Sequence, residues 1–161
     1  MSITDLDHIY NWHRFDPRLT TSGQPSEAEL AQIRGLGVTH VVNLGLHDHE
    51  KALTDEAASV AALGMDYIHI PVIFDAPTEA DYARFAEAMA GLEGKTVHVH
   101  CIANMRVSAF FYRWRQEALG LGEAEARAAM ERIWRPGGVW AELIGDKDGV
   151  ARGHQVPGRH Y

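Results

Sequence analysis

Cys101 is the one cysteine of the chain, and four residues separate it from Arg106. The surrounding stretch reads Val97-His98-Val99-His100-Cys101-Ile102-Ala103-Asn104-Met105-Arg106-Val107-Ser108. A β-rich run leads into His-Cys, a short loop, an arginine and a helix-forming segment. That order gathers a thiol, successive backbone N–H groups and a guanidinium around one point, and an oxyanion is the natural occupant of such a point. A thiol becomes a strong nucleophile as thiolate, which a helix N-terminus or a nearby cation favours. Arg106 offers a permanent charge on a planar fork suited to two phosphate oxygens. The amides of Ile102, Ala103, Asn104 and Met105 can cradle the others. Such a cradle also stabilises the charge that spreads in a transition state. The loop contains no glycine, so Asn104 is expected to supply the left-handed backbone that a tight anion nest requires. The plain alternative is a buried, inert cysteine.

Cleaving a phosphoester through cysteine also requires a proton donor for the leaving oxygen. Asp75 is the first candidate, because it follows Ile70-Pro71-Val72-Ile73-Phe74 at the carboxyl end of a strand. Its structural alternative is a turn aspartate beside Ala76-Pro77. Asp48, flanked by His47 and His49, is the second candidate. Ser108 could hydrogen-bond the thiolate, or serve only as a small helix residue. His100 could brace the loop through its ring nitrogens, or simply pack in the sheet. His47 with His49, and His98 with His100, are alternate pairs that could each share a face. No second cysteine and no carboxylate at a diagnostic spacing accompanies them, so no metal and no cofactor are expected.

Short β-branched runs at 39–44, 67–72 and 96–100 alternate with helical segments, and a further strand is expected near 18–22. Ser26-Glu27-Ala28-Glu29 and Thr78-Glu79-Ala80-Asp81 read as capping boxes. They open helices ending near Gly35 and Gly91, with apolar faces at Leu30, Ile33, Leu36 and at Tyr82, Phe85, Met89, Leu92. Further helices are expected over 51–63, 107–119 and 123–134. The alternation predicts an α/β fold with a mostly parallel sheet and helices on both faces. Ligands of such sheets bind beyond the carboxyl ends of the strands. The segments 45–49, 73–77 and 101–105 should therefore share one edge, joined by Ser22-Gly23-Gln24. Residues 1–144 read as a single domain, and the polar, glycine-rich stretch 145–161 as a flexible tail.

The 161 residues are 46% hydrophobic and 23% charged, ordinary for a globular domain. A formal charge of −7 argues against general nucleic-acid binding. No apolar run reaches the length of a membrane span. The first residues lack the basic and apolar regions of a secretory signal. A lone cysteine excludes an internal disulfide and suits a reducing compartment, so a cytoplasmic location is expected. Nothing in the chain reports an oligomeric state.

His100-Cys101 with Arg106 and Ser108 resembles the protein tyrosine phosphatase superfamily, whose signature is His-Cys-x5-Arg-Ser/Thr. Ser22-Gly23-Gln24-Pro25, the run from Gly37 to Leu44 and the run from Gly64 to Val72 resemble a bacterial branch, the phosphatase-like domain sometimes fused to a β-lactamase-like hydrolase. The similarity covers roughly residues 18 to 140. It implies a three-layer sandwich around a four- to five-stranded sheet, a cysteinyl-phosphate intermediate and no metal. It also implies a phosphorylated protein or a small phosphoester as substrate. By the resemblance Cys101 maps to the nucleophile, Arg106 to the phosphate clamp and Asp75 to the general acid. One departure is plain: the signature has five residues between Cys and Arg, and Val107 stands where it has Arg. A loop of this length is nearer to rhodanese-like sulfurtransferases. Two rivals thus stay open, a sulfurtransferase and a cradle that binds anions without turnover.

Overall fold

The computed structural model describes residues 4–156. Five strands form one sheet: β1 (His13–Asp16), β2 (Leu19–Ser22), β3 (His40–Asn43), β4 (Asp66–His69) and β5 (Val97–His100). Their order is β1-β2-β5-β3-β4. β2, β5, β3 and β4 are parallel, and β1 pairs antiparallel with β2 at the edge. The expected mostly parallel sheet is present. β1 is an addition, turned back at Asp16, whose Oδ1 accepts from the backbone N–H groups of Arg18 and Leu19.

Six helices flank the sheet: α1 (Glu27–Gly35), α2 (Glu56–Ala62), α3 (Glu79–Gly91), α4 (Met105–Glu117), α5 (Glu123–Glu131) and α6 (Gly138–Ile144). Both capping boxes form reciprocally. Glu29 N donates to Ser26 Oγ and Ser26 N to Glu29 Oε1; Asp81 N donates to Thr78 Oγ1 and Thr78 N to Asp81 Oδ2. One apolar cluster joins Leu30 and Ile33 of α1 and Val60 of α2 to Val41 of β3. The other joins Phe85 of α3 and Phe110 and Phe111 of α4 to Val97 and Val99 of β5, with Trp134 and Trp140. Each such fully buried ring contributes about 2–3 kcal/mol of hydrophobic stabilisation. Two clusters on opposite faces of one sheet make three layers. β5 is central and buried throughout. Its valines face the second cluster, so His98 and His100 face the α1–α2 side.

Three expected boundaries shift. The helix expected over 51–63 begins only at Glu56, because Asp55 caps it by accepting from Ala58 N. Residues 46–55 are left as a loop that reaches the site. The helix expected to begin at Val107 begins at Met105, directly after the cysteine loop. The helix expected over 123–134 ends at Glu131, and after Pro136-Gly137 a further helix, α6, starts at Gly138.

The stretch expected to be a flexible tail is packed as far as it is described. Asp146 pairs with Arg135 and Arg152, a short 3-10 helix covers Lys147–Gly149, and Gln155 exchanges backbone hydrogen bonds with Arg135. His154 accepts from Gly137 N and packs on Trp134 and Phe74. An arginine–aspartate cluster centred on Asp146 holds this segment, and composition alone carries no sign of it. Residues 157–161 lie outside the described residues.

Candidate active site

The cysteine loop joins the C-terminus of β5 to the N-terminus of α4. Asn104 is its pivot. It has φ +64°, as expected for the loop's one tolerant residue, and is fully buried. Its Nδ2 donates to Asn11 O at 2.8 Å and to Thr21 Oγ1 at 3.1 Å. Asn11, itself at φ +53°, returns the bond from its own Nδ2 to Ala103 O at 2.8 Å. The two asparagines form a reciprocal clamp between the N-terminal segment and the loop.

A second support comes from Ser22-Gly23-Gln24. Gln24 N donates to Ile102 O at 3.0 Å, and a Cβ on Gly23 would stand 2.5 Å from that same oxygen. Only glycine permits this approach. A third support is His100, whose Nδ1 lies 3.0 Å from Cys101 O and whose Nε2 lies 2.5 Å from Glu56 Oε2. Gln24 Nε2 donates to the other oxygen, Glu56 Oε1, at 2.9 Å. Burial pushes the Glu56 carboxyl up, but the charge and hydrogen bond of His100, with the Gln24 amide, outweigh it and hold it below the usual range. His98 has a different duty. Ser22 Oγ donates to Gly23 O, so it accepts from His98 Nε2, and Thr20 Oγ1 donates to His98 Nδ1. The ring is neutral, and burial holds its pKa far below the ordinary value.

Among the described residues no hydrogen bond uses the amides of Ile102, Ala103, Asn104 or Met105. They remain free to bind an anion at the start of α4, where the helix dipole adds to them. Ser108 Oγ donates to Met105 O at 3.1 Å, so its proton steadies the helix start and not the sulfur.

Cys101, Arg106 and Asp75 line one cavity of about 490 Å³. Tyr10, Leu46, His49, Glu50, Lys51, Ile73 and Phe74 complete its walls with the loop residues Ile102, Ala103 and Met105. Arg106 is 7% exposed and donates from Nη1 to Val72 O at 2.8 Å, with its guanidinium 5.8 Å from the Phe74 ring centre. Its Nε is buried without a hydrogen-bond partner, and no described carboxylate pairs with it. An unpartnered buried N–H costs about 1–3 kcal/mol. Asp75 is exposed at the mouth, held by its neighbour: Trp140 Nε1 donates to Phe74 O at 2.6 Å. Asp48 is also exposed and is not among the residues lining this cavity. Another cavity, about 420 Å³ and lined by Arg18, Leu19, Met89 and Trp114, lies at the opposite end of the sheet and has no thiol or hydroxyl side chain in its lining.

Residues 7–139 match the family described as "DSP-PTPase phosphatase fused to NAD+ Kinase". The chain belongs to this phosphatase family. A protein of Shewanella putrefaciens CN-32 described as "Putative phosphatase (DUF442)" superposes with a TM-score of 0.78 at 33% identity, over 90% of this chain and 95% of that one. TpbA of P. aeruginosa, crystallised in complex with pTyr, shares the fold with a TM-score of 0.63 at 20% identity, over 88% and 78% of the two chains. A beta-lactamase hydrolase-like protein of Agrobacterium fabrum (strain C58) is 34% identical over 101 residues, which is 61% of this chain but 23% of that protein. The chain thus spans less than a quarter of that relative's length. Family and fold are those of protein tyrosine phosphatase-like phosphoester hydrolases, as the resemblance at His100-Cys101 and Ser22-Gly23-Gln24-Pro25 implied.

Three residues of this phosphatase-like site escape sequence reasoning. Asn11 and Glu56 lie 93 and 44 positions from the loop residues they meet. Gln24 was included only as part of a turn, and its side-chain bond to Glu56 had no local sign. The signal available for Asn11 was an asparagine in a short polar segment, which is too common to single out.

Proposed function

We propose that the chain hydrolyses a phosphomonoester through a cysteinyl-phosphate intermediate. One observation carries this reading: the only thiol, a guanidinium with an unpartnered buried N–H and the Asp75 carboxyl line a single cavity at the start of α4. The loop amides and Arg106 hold three phosphoryl oxygens. The Cys101 thiolate attacks phosphorus opposite the ester oxygen, forming an S–P bond as the P–O bond breaks. Asp75, protonated, gives its proton to the departing oxygen. Asp75, now a carboxylate, takes a proton from the water that attacks the S–P bond, and inorganic phosphate leaves with the thiolate restored. The start of α4 directly after Asn104, with Arg106 buried in its first turn, supports a cradle with four residues between Cys101 and Arg106.

The substrate is a phosphorylated protein or a small phosphoester. The TpbA complex with pTyr supports an aryl phosphate as the first probe. No described helix is long and apolar enough to cross a membrane. A reduced, lone cysteine supports a cytoplasmic setting. The test is hydrolysis of para-nitrophenyl phosphate at pH 5.5–7 by the wild type, Cys101→Ser and Arg106→Lys. Turnover should vanish in the first variant. In the second, kcat/KM should fall about a hundred-fold or more, since a point charge replaces the fork. Turnover that survives Cys101→Ser refutes the reading. Phosphate affinity without turnover in the wild type would leave an anion-binding cradle instead.

A further inference from the structure

We infer that Glu56 is a positioning residue of the cysteine loop, whose buried carboxylate keeps His100 doubly protonated directly behind Cys101. The inference rests on the reading of Cys101 as nucleophile. Proton counting carries it. His100 Nδ1 faces the Cys101 carbonyl oxygen and Nε2 faces Glu56 Oε2. A carbonyl and a carboxylate both accept only, so each ring nitrogen that bonds them must bear hydrogen. A neutral imidazole bears one; this ring needs two. Gln24 favours the ionised carboxylate, because its amide donates to Glu56 Oε1 and also to Pro25 O, spending both of its hydrogens on acceptors.

Burial makes the pairing obligatory. His100 is 0% and Glu56 is 3% exposed. Either charge alone at such a depth would be strongly disfavoured, whereas the pair, with its further hydrogen bonds, is tolerated. The consequence falls on the loop. The Nδ1–H fixes the Cys101 carbonyl, and with it the turn that presents the sulfur. The positive ring stands one residue behind that sulfur, where it stabilises negative charge that develops as the sulfur reacts. Facing this pair are His98 of β5, His69 and Tyr67 of β4, His47 of the loop after β3, and Asp55, the α2 cap. His98 is neutral, and His47 and His69 stack with ring centres 3.7 Å apart. These groups are common to wild type and variant, so a difference between the two reports Glu56.

The single cysteine makes the test direct, because iodoacetamide adducts counted by mass report Cys101 alone. Glu56→Gln should be alkylated roughly three- to ten-fold more slowly than wild type at pH 7. Glu56→Asp should recover part of the rate. Equal rates at pH 7 in a folded Glu56→Gln protein overturn the inference. A second measurement needs no variant: in nitrogen-15 spectra of the wild type at pH 7.5, both ring nitrogens of His100 should carry hydrogen. One bare nitrogen overturns the inference equally. Neither readout requires phosphatase turnover, so failure of the enzymatic reading, seen as activity that survives Cys101→Ser, is told apart from failure of the role given to Glu56.

Discussion

Replacing Asn104 separates two things that the loop asks of one residue. Its backbone holds φ +64°, and its amide donates two hydrogen bonds, to Asn11 O and Thr21 Oγ1. Asn104→Gly keeps the left-handed backbone at no steric penalty and deletes the bonds. Asn104→Ala deletes the bonds and also forces a Cβ into the left-handed region, at about 1 kcal/mol more. Each lost bond is worth about 1–1.5 kcal/mol in a fully buried setting. For glycine, relief of the asparagine's own strain roughly offsets the freer unfolded chain. The expected losses are thus about 2–3 kcal/mol for glycine and about 3–4 kcal/mol for alanine. In a domain of this length the alanine loss lowers Tm by roughly 10 °C. The assay is urea unfolding at pH 7 beside kcat/KM on an aryl phosphate. Both variants should lose at least about ten-fold in kcat/KM, because the amides of Ile102 to Met105 lose their common aim. Losses below about 1 kcal/mol in both, or equal losses in the two, would refute the division of labour between backbone and clamp.

Two further outcomes follow from buried contacts. His98 is neutral when folded, with a pKa far below the unfolded value of about 6.5, so as pH falls below about 6.5 the unfolded chain takes up a proton that the folded chain refuses. Stability should decline by about 2 kcal/mol from this ring between pH 7 and pH 5. His13, brought down to about 4 chiefly by burial, acts in the same direction. Urea midpoints that stay flat over that interval would contradict the neutral assignment. Trp140→Phe removes the donor to Phe74 O and should cost about 1–3 kcal/mol while lowering kcat several-fold with little change in KM, since Asp75 rides on that backbone. A kcat equal to wild type would show that the mouth segment holds its place without the tryptophan.

What was legible in the sequence was what local rules encode. Three of the four parallel strands announced themselves by β-branched runs, the fourth was expected near 18–22 ahead of Gly23, and the two capping boxes showed by their spacing. The left-handed bend at Asn104 followed from a loop without glycine. Asp75 was placed by its position at a strand's carboxyl end, and it does line the cavity with Cys101 and Arg106. β1 was missed because His13–Asp16 is short and mostly polar, although Asp16-Pro17 was an available turn signal. The start of α2 was misjudged because a polar run with good helix formers continues upstream of its true cap, Asp55. Glu56 and Asn11 had no signature that singles them out. Their roles exist only once residues far apart in the chain are folded together, and one glutamate in the polar run Thr54-Asp55-Glu56 looks like any solvated charge.

The two sides of the cavity are built by different layers of the molecule. The Cys101 side is set from the α1–α2 face, by Asn11, by Gly23-Gln24 and by Glu56 through His100. The Asp75 side is set from the opposite face, where Trp140 of α6 and His154 grip Phe74 beside Asp75. Arg106 ties the two, since it leaves the first turn of α4 and donates to Val72 O at the start of the Asp75 segment. A loop with no glycine does not hold an anion cradle by its own flexibility; its shape is imposed by neighbours that are themselves buried and hydrogen-bonded. The separation between Cys101 and Asp75 is then a property of how α4 and α6 pack, which is why buried changes such as Trp140→Phe are expected to appear in kcat before they appear in substrate affinity.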